Sequence, residues 1–412
     1  MRLDLRPVAE VRRLVLDSVP RLEAEAIAFT EAVGRVLGLA LISPEDVPAF
    51  ANSGMDGYAV RGSDVDHPGA TLEVISDLPA GRVATGTVGE GQAIKIMTGA
   101  PIPEGADTVV RVEDTSGGNG RVTVRTAVPR GTYVRPAGGD VRRGSAVIEA
   151  GTRLGPAHIG VLAALGVVTP EVSRRPRVAV MSTGDELQAP GAGPLVPGMI
   201  RDSNRPMLAA LVEDAGAVVT DIGRIADDPA AFRSALHRGA ATADAIITTG
   251  GVSMGDYDVV KAVLEESADV EFLTVAMSPG KPLGFGRVGG VPFFGLPGNP
   301  VSVLVSFEQF ARPALLAMQG AVRLLRPRVM GVAGETMTSD PAKEAFVRVR
   351  ITDHQLLVAV QTGGQSSNVL SGAAQADCFA VMPVGVASVE AGDRIVLELF
   401  RASETRSADD GE

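Results

Sequence analysis

The sequence predicts a multidomain α/β protein, with a central parallel-sheet α/β domain flanked by small β-rich domains. Three observations carry this. From about residue 177 to 318, short apolar runs alternate with helix-like stretches, the pattern of a parallel sheet. On either side, β-type runs are broken at close intervals by glycine and proline. A length of 412 residues, 45% of them hydrophobic and 21% charged, points to about two to four domains with substantial cores.

The charge balance, 38 basic against 49 acidic residues for a net −11, argues against a nucleic-acid surface. Any anionic ligand therefore needs a local basic pocket. The single cysteine, Cys378, excludes an internal disulfide and fits a reducing compartment. With four scattered histidines (His67, His158, His237, His354) it cannot build a typical zinc site, so a metal would sit on oxygen ligands. The N-terminus lacks a basic segment followed by an apolar core, and no apolar run approaches membrane-spanning length. No membrane is expected as a partner, and the expected location is the cytoplasm.

Residues 1–43 open with an amphipathic helix whose apolar positions are Val8, Val11, Val15 and Val19. The stretch from Pro44 to Ala59 is rich in turn formers and too polar for a core. It holds Asp56, for which an Asx-turn is the plain alternative to a ligand-binding role. Residues 60–150 carry β-type runs at 71–75, 108–112 and 122–124, which predicts a small β domain. There, Ile96-Met-Thr-Gly-Ala-Pro-Ile-Pro puts Thr98 on a sharp turn after a strand. Arg135 and Asp140 lie five apart on a glycine loop, where a solvated surface ion pair would serve equally.

A helix at 156–165 leads to the basic linker Ser173-Arg-Arg-Pro-Arg. The strand at 178–181 ends in Ser182-Thr-Gly-Asp-Glu-Leu, and a glycine and proline loop runs on to Arg201-Asp-Ser-Asn. A helix from Pro206, a strand at 217–222 and a helix with Asp228 as N-cap and Pro229 at its first position follow. The stretch from Asp244 to Asp258 organises the rest. Ala245–Thr249 is β-branched and apolar, as in a strand buried on both faces. Gly250, Gly251 and Gly255 let the backbone approach a ligand, and Asp256 and Asp258 open a helix. Such a strand–loop–helix junction suits a phosphate or oxyanion, and the carboxylates suit Mg²⁺ bridging to it. A tight turn with an Asp N-cap is the alternative.

Gly295-Leu-Pro-Gly-Asn-Pro-Val-Ser introduces the apolar helix at 301–318. Parallel sheets bind ligands beyond the carboxyl ends of their strands. The loops holding Glu186, Asp227, residues 250–258 and Pro297 to Ser302 should therefore gather on one edge. After residue 322, β runs at 346–351, 356–360, 378–382 and 395–399 predict a further small domain, with Arg348 and Arg350 alternating along one strand. The expected division is 1–43 with 141–175 as an N-terminal mixed linker domain, 44–140 as an inserted β-rich domain, 176–321 as the α/β domain and 322–402 as a C-terminal β domain. Residues 403–412 form a polar tail expected to be disordered.

Three motif matches point elsewhere and are set aside. Gly251-Val-Ser253-Met-Gly fits a nucleophile elbow, but only His354 follows it to complete a triad. Gly284-Phe-Gly-Arg-Val-Gly fits a dinucleotide motif, but a strand-like run follows where a helix is needed, so a hairpin is expected. Ser278-Pro-Gly-Lys281-Pro lacks the Ser or Thr that a P-loop places after its lysine, although Lys281 remains a good point charge for an oxyanion.

Taken in order, Met55-Asp-Gly-Tyr-Ala, Thr98-Gly-Ala-Pro-Ile-Pro, Arg135 to Asp140, Ser182-Thr-Gly-Asp-Glu-Leu, Asp202-Ser-Asn, Gly250-Gly-Val-Ser, Pro279-Gly-Lys-Pro and Gly295-Leu-Pro-Gly-Asn-Pro-Val-Ser resemble the molybdopterin molybdenumtransferase family, which includes bacterial MoeA and the E domain of gephyrin. Phe346-Val-Arg and Gly364-Gln-Ser-Ser extend the resemblance more weakly. It implies a molybdopterin-binding type of α/β domain and a homodimer whose active cleft lies between the α/β domain of one subunit and the N-terminal parts of the other. It also implies that adenylylated molybdopterin and molybdate give molybdenum cofactor and AMP, with Mg²⁺ or a similar divalent cation. By the same resemblance Glu186, Asp227 and Asp258 are the acidic active-site residues, Glu186 and Asp258 holding the metal. Asp56, Thr98, Arg135 and Asp140 come from the N-terminal side of the cleft, and Gly250, Gly251, Ser253, Pro297 and Pro300 from the matched loops. Lys281, Ser302, Arg348 and Ser367 resemble the oxyanion-binding group. This chain departs from the family at Ser278, where Lys-Pro-Gly-Lys is common, and at Asp256, where many relatives have Glu. A non-catalytic molybdopterin-binding or scaffold protein on the same fold is the alternative function.

Overall fold

The computed structural model describes residues 5–118, 120–251, 259–267, 269–353 and 355–400. Asp256, Asp258 and Ser253 lie outside them.

The central sheet has six strands in the order Val218–Ile225, Arg177–Thr183, Ala245–Thr249, Val291–Leu296, Pro282–Val288, Asp269–Thr274. The first four are parallel. Pro282–Val288 is antiparallel to both its neighbours while Asp269–Thr274 runs with the first four, so the expected parallel sheet carries one reversed strand near its edge. The reason is local. Gly289 and Gly290 both take positive φ, +57° and +82°, as a two-residue hairpin between Pro282–Val288 and Val291–Leu296 requires. Gly289 is also the last glycine of the false dinucleotide motif, whose other two, Gly284 and Gly286, lie within the strand Pro282–Val288.

Strand side chains alternate between two apolar layers, as the pleat dictates. Val178, Val180, Ala245 and Ile247 join one cluster with Leu208, Val212 and the long helix after Pro300. Ala179, Met181 and Ile246 join another with Phe232, Leu236, Val263 and Leu264. The N-terminal helix Val8–Ser18 packs into the first of these through Val8, Val11 and Val15. It thus lies against the α/β layer rather than within the segment that follows it.

The apolar stretch from 300 to 318 is one buried rod with a five-residue π turn, Phe307–Ala311, between Pro300–Ser306 and Arg312–Met318. At 19 residues it is long and apolar enough to cross a membrane, which corrects the expectation that no run reaches that length. Its apolar window is 94% buried inside the protein, so here it is a core helix.

Residues 24–26 pair with 171–173, and 41–42 with 146–148, so the chain leaves and re-enters one small module. The inserted segment forms a second six-stranded sheet, with the order 108–111, 57–60, 92–96, 71–78, 121–124, 115–118. The C-terminal strands close on themselves, because Glu344–Asp353 pairs with both Val358–Gln361 and Cys378–Met382. Burial raises the Cys378 thiol, helped by Asp377, to about 12, which leaves it inert at neutral pH.

Candidate active site

The first strand, Arg177–Thr183, sits between the second, Val218–Ile225, and the third, Ala245–Thr249. The topology reverses there, and a crevice opens beyond the strand ends. A cavity of about 80 Å³ occupies that crevice, lined among others by Ser182, Glu186, Asp202, Asn204, Thr249 and Gly250. A second cavity, about 270 Å³, is lined by Thr274, Lys281, Pro297, Gly298, Asn299 and Ser302. Gly298 belongs to both.

The first cavity is held by buried polar bonds. Asp202, only 1% exposed, accepts from Ser182 Oγ at 2.7 Å, Arg205 N at 3.2 Å and Arg205 Nε at 3.1 Å. Its carboxylate thereby ties the end of the first strand to the start of the helix Asn204–Asp214. Asn204 Nδ2 donates to Thr249 Oγ1 at 3.0 Å and to Gly298 O at 2.6 Å, and Thr249 Oγ1 donates to Pro297 O at 2.9 Å. Gly250 has φ +90°, and a Cβ there would lie 2.6 Å from the Thr183 carbonyl oxygen, so only glycine fits. Asp202, Asn204, Ser182 and Thr249 carry this architecture, yet sequence reasoning assigned them no role. Their signals were the matched segments Ser182-Thr-Gly-Asp-Glu-Leu and Asp202-Ser-Asn and the end of the strand Ala245–Thr249, which marked the loops without assigning these side chains a task.

Among the predicted acidic residues, Glu186 is exposed in the first cavity and has no ion-pair partner among the described residues. Its carboxylate curls over Gly184, where an added Cβ would meet Glu186 Oε2 at 2.5 Å. Asp227 lines neither cavity. It accepts from Asp185 N at 3.1 Å while Asp227 N donates to Asp185 Oδ1 at 3.3 Å, a reciprocal clasp between two strand-end loops. No group of three or more His, Cys, Asp or Glu could hold a metal among the described residues. Mg²⁺ often takes one or two carboxylates and completes its shell with substrate phosphates and water. The uncommitted carboxylate of Glu186, beside hydroxyls and no sulfur or imidazole, fits such an ion.

Lys281 and Ser302 line the second cavity together with Pro297, and Pro300 borders the first. The C-terminal barrel closes in from two sides. Ser278 pairs with Ala345, and the Ser367 carbonyl accepts from Val301 N at 3.0 Å. Arg348 is 1% exposed, and its Nη1 and Nη2 donate to Ser366 O at 3.2 Å and Gly364 O at 2.8 Å. Its Nε is buried without a partner, and desolvation lowers the guanidinium pKa. Arg348 therefore holds the loop that carries Ser367 instead of facing a ligand, and of the four predicted oxyanion residues only Lys281 and Ser302 line the second cavity. Gly251 continues the loop from Gly250 with φ +68°.

The remaining predicted residues lie in the β insert. Asp56 accepts from Thr98 N at 2.6 Å and Thr98 Oγ1 at 2.8 Å, bonds that lower its pKa. Arg135 pairs with Asn52 across a two-residue ladder, and Asp140, which is exposed, bonds through its backbone N–H to Val47 O at 3.0 Å. Neither α/β cavity is lined by any residue of the insert.

Comparison with known proteins follows this layout. Residues 6–166 match the MoeA N-terminal region (domain I and II), 179–317 the probable molybdopterin binding domain, and 331–400 the MoeA C-terminal region (domain IV). Molybdopterin molybdenumtransferase 2 of Mycobacterium tuberculosis is 43% identical over 404 residues, covering 95% of this chain and 98% of that protein. Molybdopterin molybdenumtransferase of a Nostoc species is 37% identical over 95% of this chain and 93% of its own length. The crystal structure of the molybdopterin biosynthesis moeA protein from Pyrococcus horikoshii OT3 superposes with a TM-score of 0.86 at 28% identity, covering 96% of this chain and all of that one. The chain belongs to the MoeA family of molybdopterin molybdenumtransferases.

Proposed function

We propose that this chain converts adenylylated molybdopterin and molybdate into molybdenum cofactor and AMP in the cytoplasm. Its family makes it a transferase of molybdenum cofactor biosynthesis. The observation that carries the finer reading is the pair of cavities sharing Gly298, one with a carboxylate and hydroxyls, the other with a lysine and a serine. Molybdate is a tetrahedral dianion, suited to the ammonium of Lys281 and the hydroxyl of Ser302. The pterin phosphoanhydride suits the Glu186 cavity, where Mg²⁺, when bound, would offset phosphate charge.

In the reaction water cleaves a phosphoanhydride P–O bond and AMP leaves, while the two pterin thiols form Mo–S bonds to molybdate and one molybdate oxygen departs as water with their two protons. Lys281 stabilises charge that grows on the oxyanion, in a place where no described carboxylate neutralises it. Asp227 holds the two strand-end loops in register. The outward-facing Asp56, Thr98, Arg135 and Asp140 serve the cleft of a second copy, a reading supported by their absence from both cavities of their own chain. Asp258 and Ser253, outside the described residues, retain their sequence-based roles in metal and ligand binding.

The test is AMP release from purified protein given adenylylated molybdopterin and Mg²⁺, with and without molybdate. Molybdate-dependent release is expected. Tight pterin binding without release would point to a scaffold. For the dimer, mixing Glu186→Gln with Asp56→Asn should restore activity that each variant lacks alone, because one composite site then holds both native residues. Failure to complement would overturn the shared cleft.

A further inference from the structure

Asn204 holds the wall between the two cavities, and its geometry assigns it more than packing. Its Nδ2 grips Gly298 O directly at 2.6 Å and, through Thr249 Oγ1, the preceding carbonyl of Pro297. Two consecutive carbonyls of one turn are thus held by one side chain. The amide orientation is forced, since swapping its ends would set an oxygen against Gly298 O. Its Oδ1 is buried without a partner, so the side chain stays put although half of it is unsatisfied. Asn204 itself is anchored, because the helix it opens is tied by Asp202 to the end of the first strand. Gly298 lies beside Gly250, where an added Cβ would make an ordinary van der Waals contact of 3.9 Å with Gly250 Cα.

We propose that Asn204 is a positioning residue that couples the two cavities, so that an anion bound beside Glu186 fixes the Pro297–Gly298 wall and tightens oxyanion binding beside Lys281. The inference rests on the two-substrate reading above. It adds that the two substrates bind cooperatively, because filling one cavity sets the shape of the other. The coupling is reciprocal, with molybdate tightening the nucleotide by the same factor.

Calorimetric titration of the full-length protein tests this without turnover. Molybdate is titrated with and without saturating AMP and Mg²⁺, in wild type, Asn204→Asp and Asn204→Ala. In the wild type AMP should tighten molybdate about fivefold or more. Asn204→Asp keeps the volume but replaces the donor with an acceptor. It should bring that factor close to one, whatever its effect on either ligand bound alone. Asn204→Ala should behave alike and is the readout if Asn204→Asp fails to fold. A merely structural role would weaken both single-ligand affinities together and leave the factor intact, which would overturn the proposal, as would a wild type without coupling. Coupling in a wild type that releases no AMP would retain the inference and sink the transferase mechanism instead.

Discussion

The α/β edge and the β insert each hold half of the predicted site, and they are built in different ways. At the α/β edge Asp202, Asn204 and Thr249 link three strand ends through bonds spanning 20 to 94 residues of sequence. In the insert the Asp56 carboxylate, on the surface, accepts from Thr98, and Arg135 is held by a two-residue ladder. The first arrangement fixes cavity shape and is coupled to the core. The second presents groups outward and owes the core little. A site made from both kinds of surface can keep one half rigid while the other docks.

The largest effect expected is at Lys281. Lys281→Ala should lower molybdate-dependent AMP release by about 100-fold or more, the scale for removing one donor to a developing oxyanion. Circular dichroism should stay unchanged; a variant near wild-type rate would remove the second cavity from the chemistry. Next comes Asp202→Ala, which strands Ser182 and leaves Arg205 its pairing with Asp221, and should cost about 2 to 3 kcal/mol in urea denaturation, the range for hydrogen bonds to a buried charge. A loss near zero would dissolve the contrast between the two regions.

Asp244, at the opposite end of the sheet, sharpens the comparison through pH. Burial pushes its pKa up, but hydrogen bonds from Arg174 and Arg177 outweigh that and hold it well below the ordinary carboxylate range. Its stabilisation is therefore full above the unfolded pKa of about 3.9 and is lost as pH falls through the lower folded value. Asp244→Asn should destabilise by about 1 to 2 kcal/mol at pH 7, and the gap to wild type should close as pH drops below about 4. A gap that persists at low pH would assign the effect to shape rather than charge. Asp56→Asn sits at the bottom of the scale for stability. Its melting temperature should match wild type while AMP release falls. A drop comparable to that of Asp202→Ala would show the insert to be as tightly coupled to the core as the α/β edge.

Much of this was legible from residues. Ala245–Thr249 and Cys378–Met382 are strands with the predicted bounds, because uninterrupted β-branched and apolar runs leave few alternatives. Asp228 caps its helix by accepting from Ala231 N at 2.7 Å, with Pro229 at the first position, as local stereochemistry requires. Strand–helix alternation placed Glu186, Gly250 and Pro297 on one edge. The antiparallel edge of the sheet escaped, since a Gly-Gly turn shows a hairpin without showing which sheet the hairpin joins.

The sequence by itself determined the elements, the family and the sidedness of the site, because hydrophobic period, turn chemistry and ordered motifs are local properties. Only the tertiary structure decided that one asparagine grips the wall shared by two cavities, that Arg348 is spent on carbonyls, and that Val8–Ser18 joins the α/β core. Those are facts of long-range contact. Asn204 and Gly298 are 94 residues apart, and no local preference of either one encodes the other.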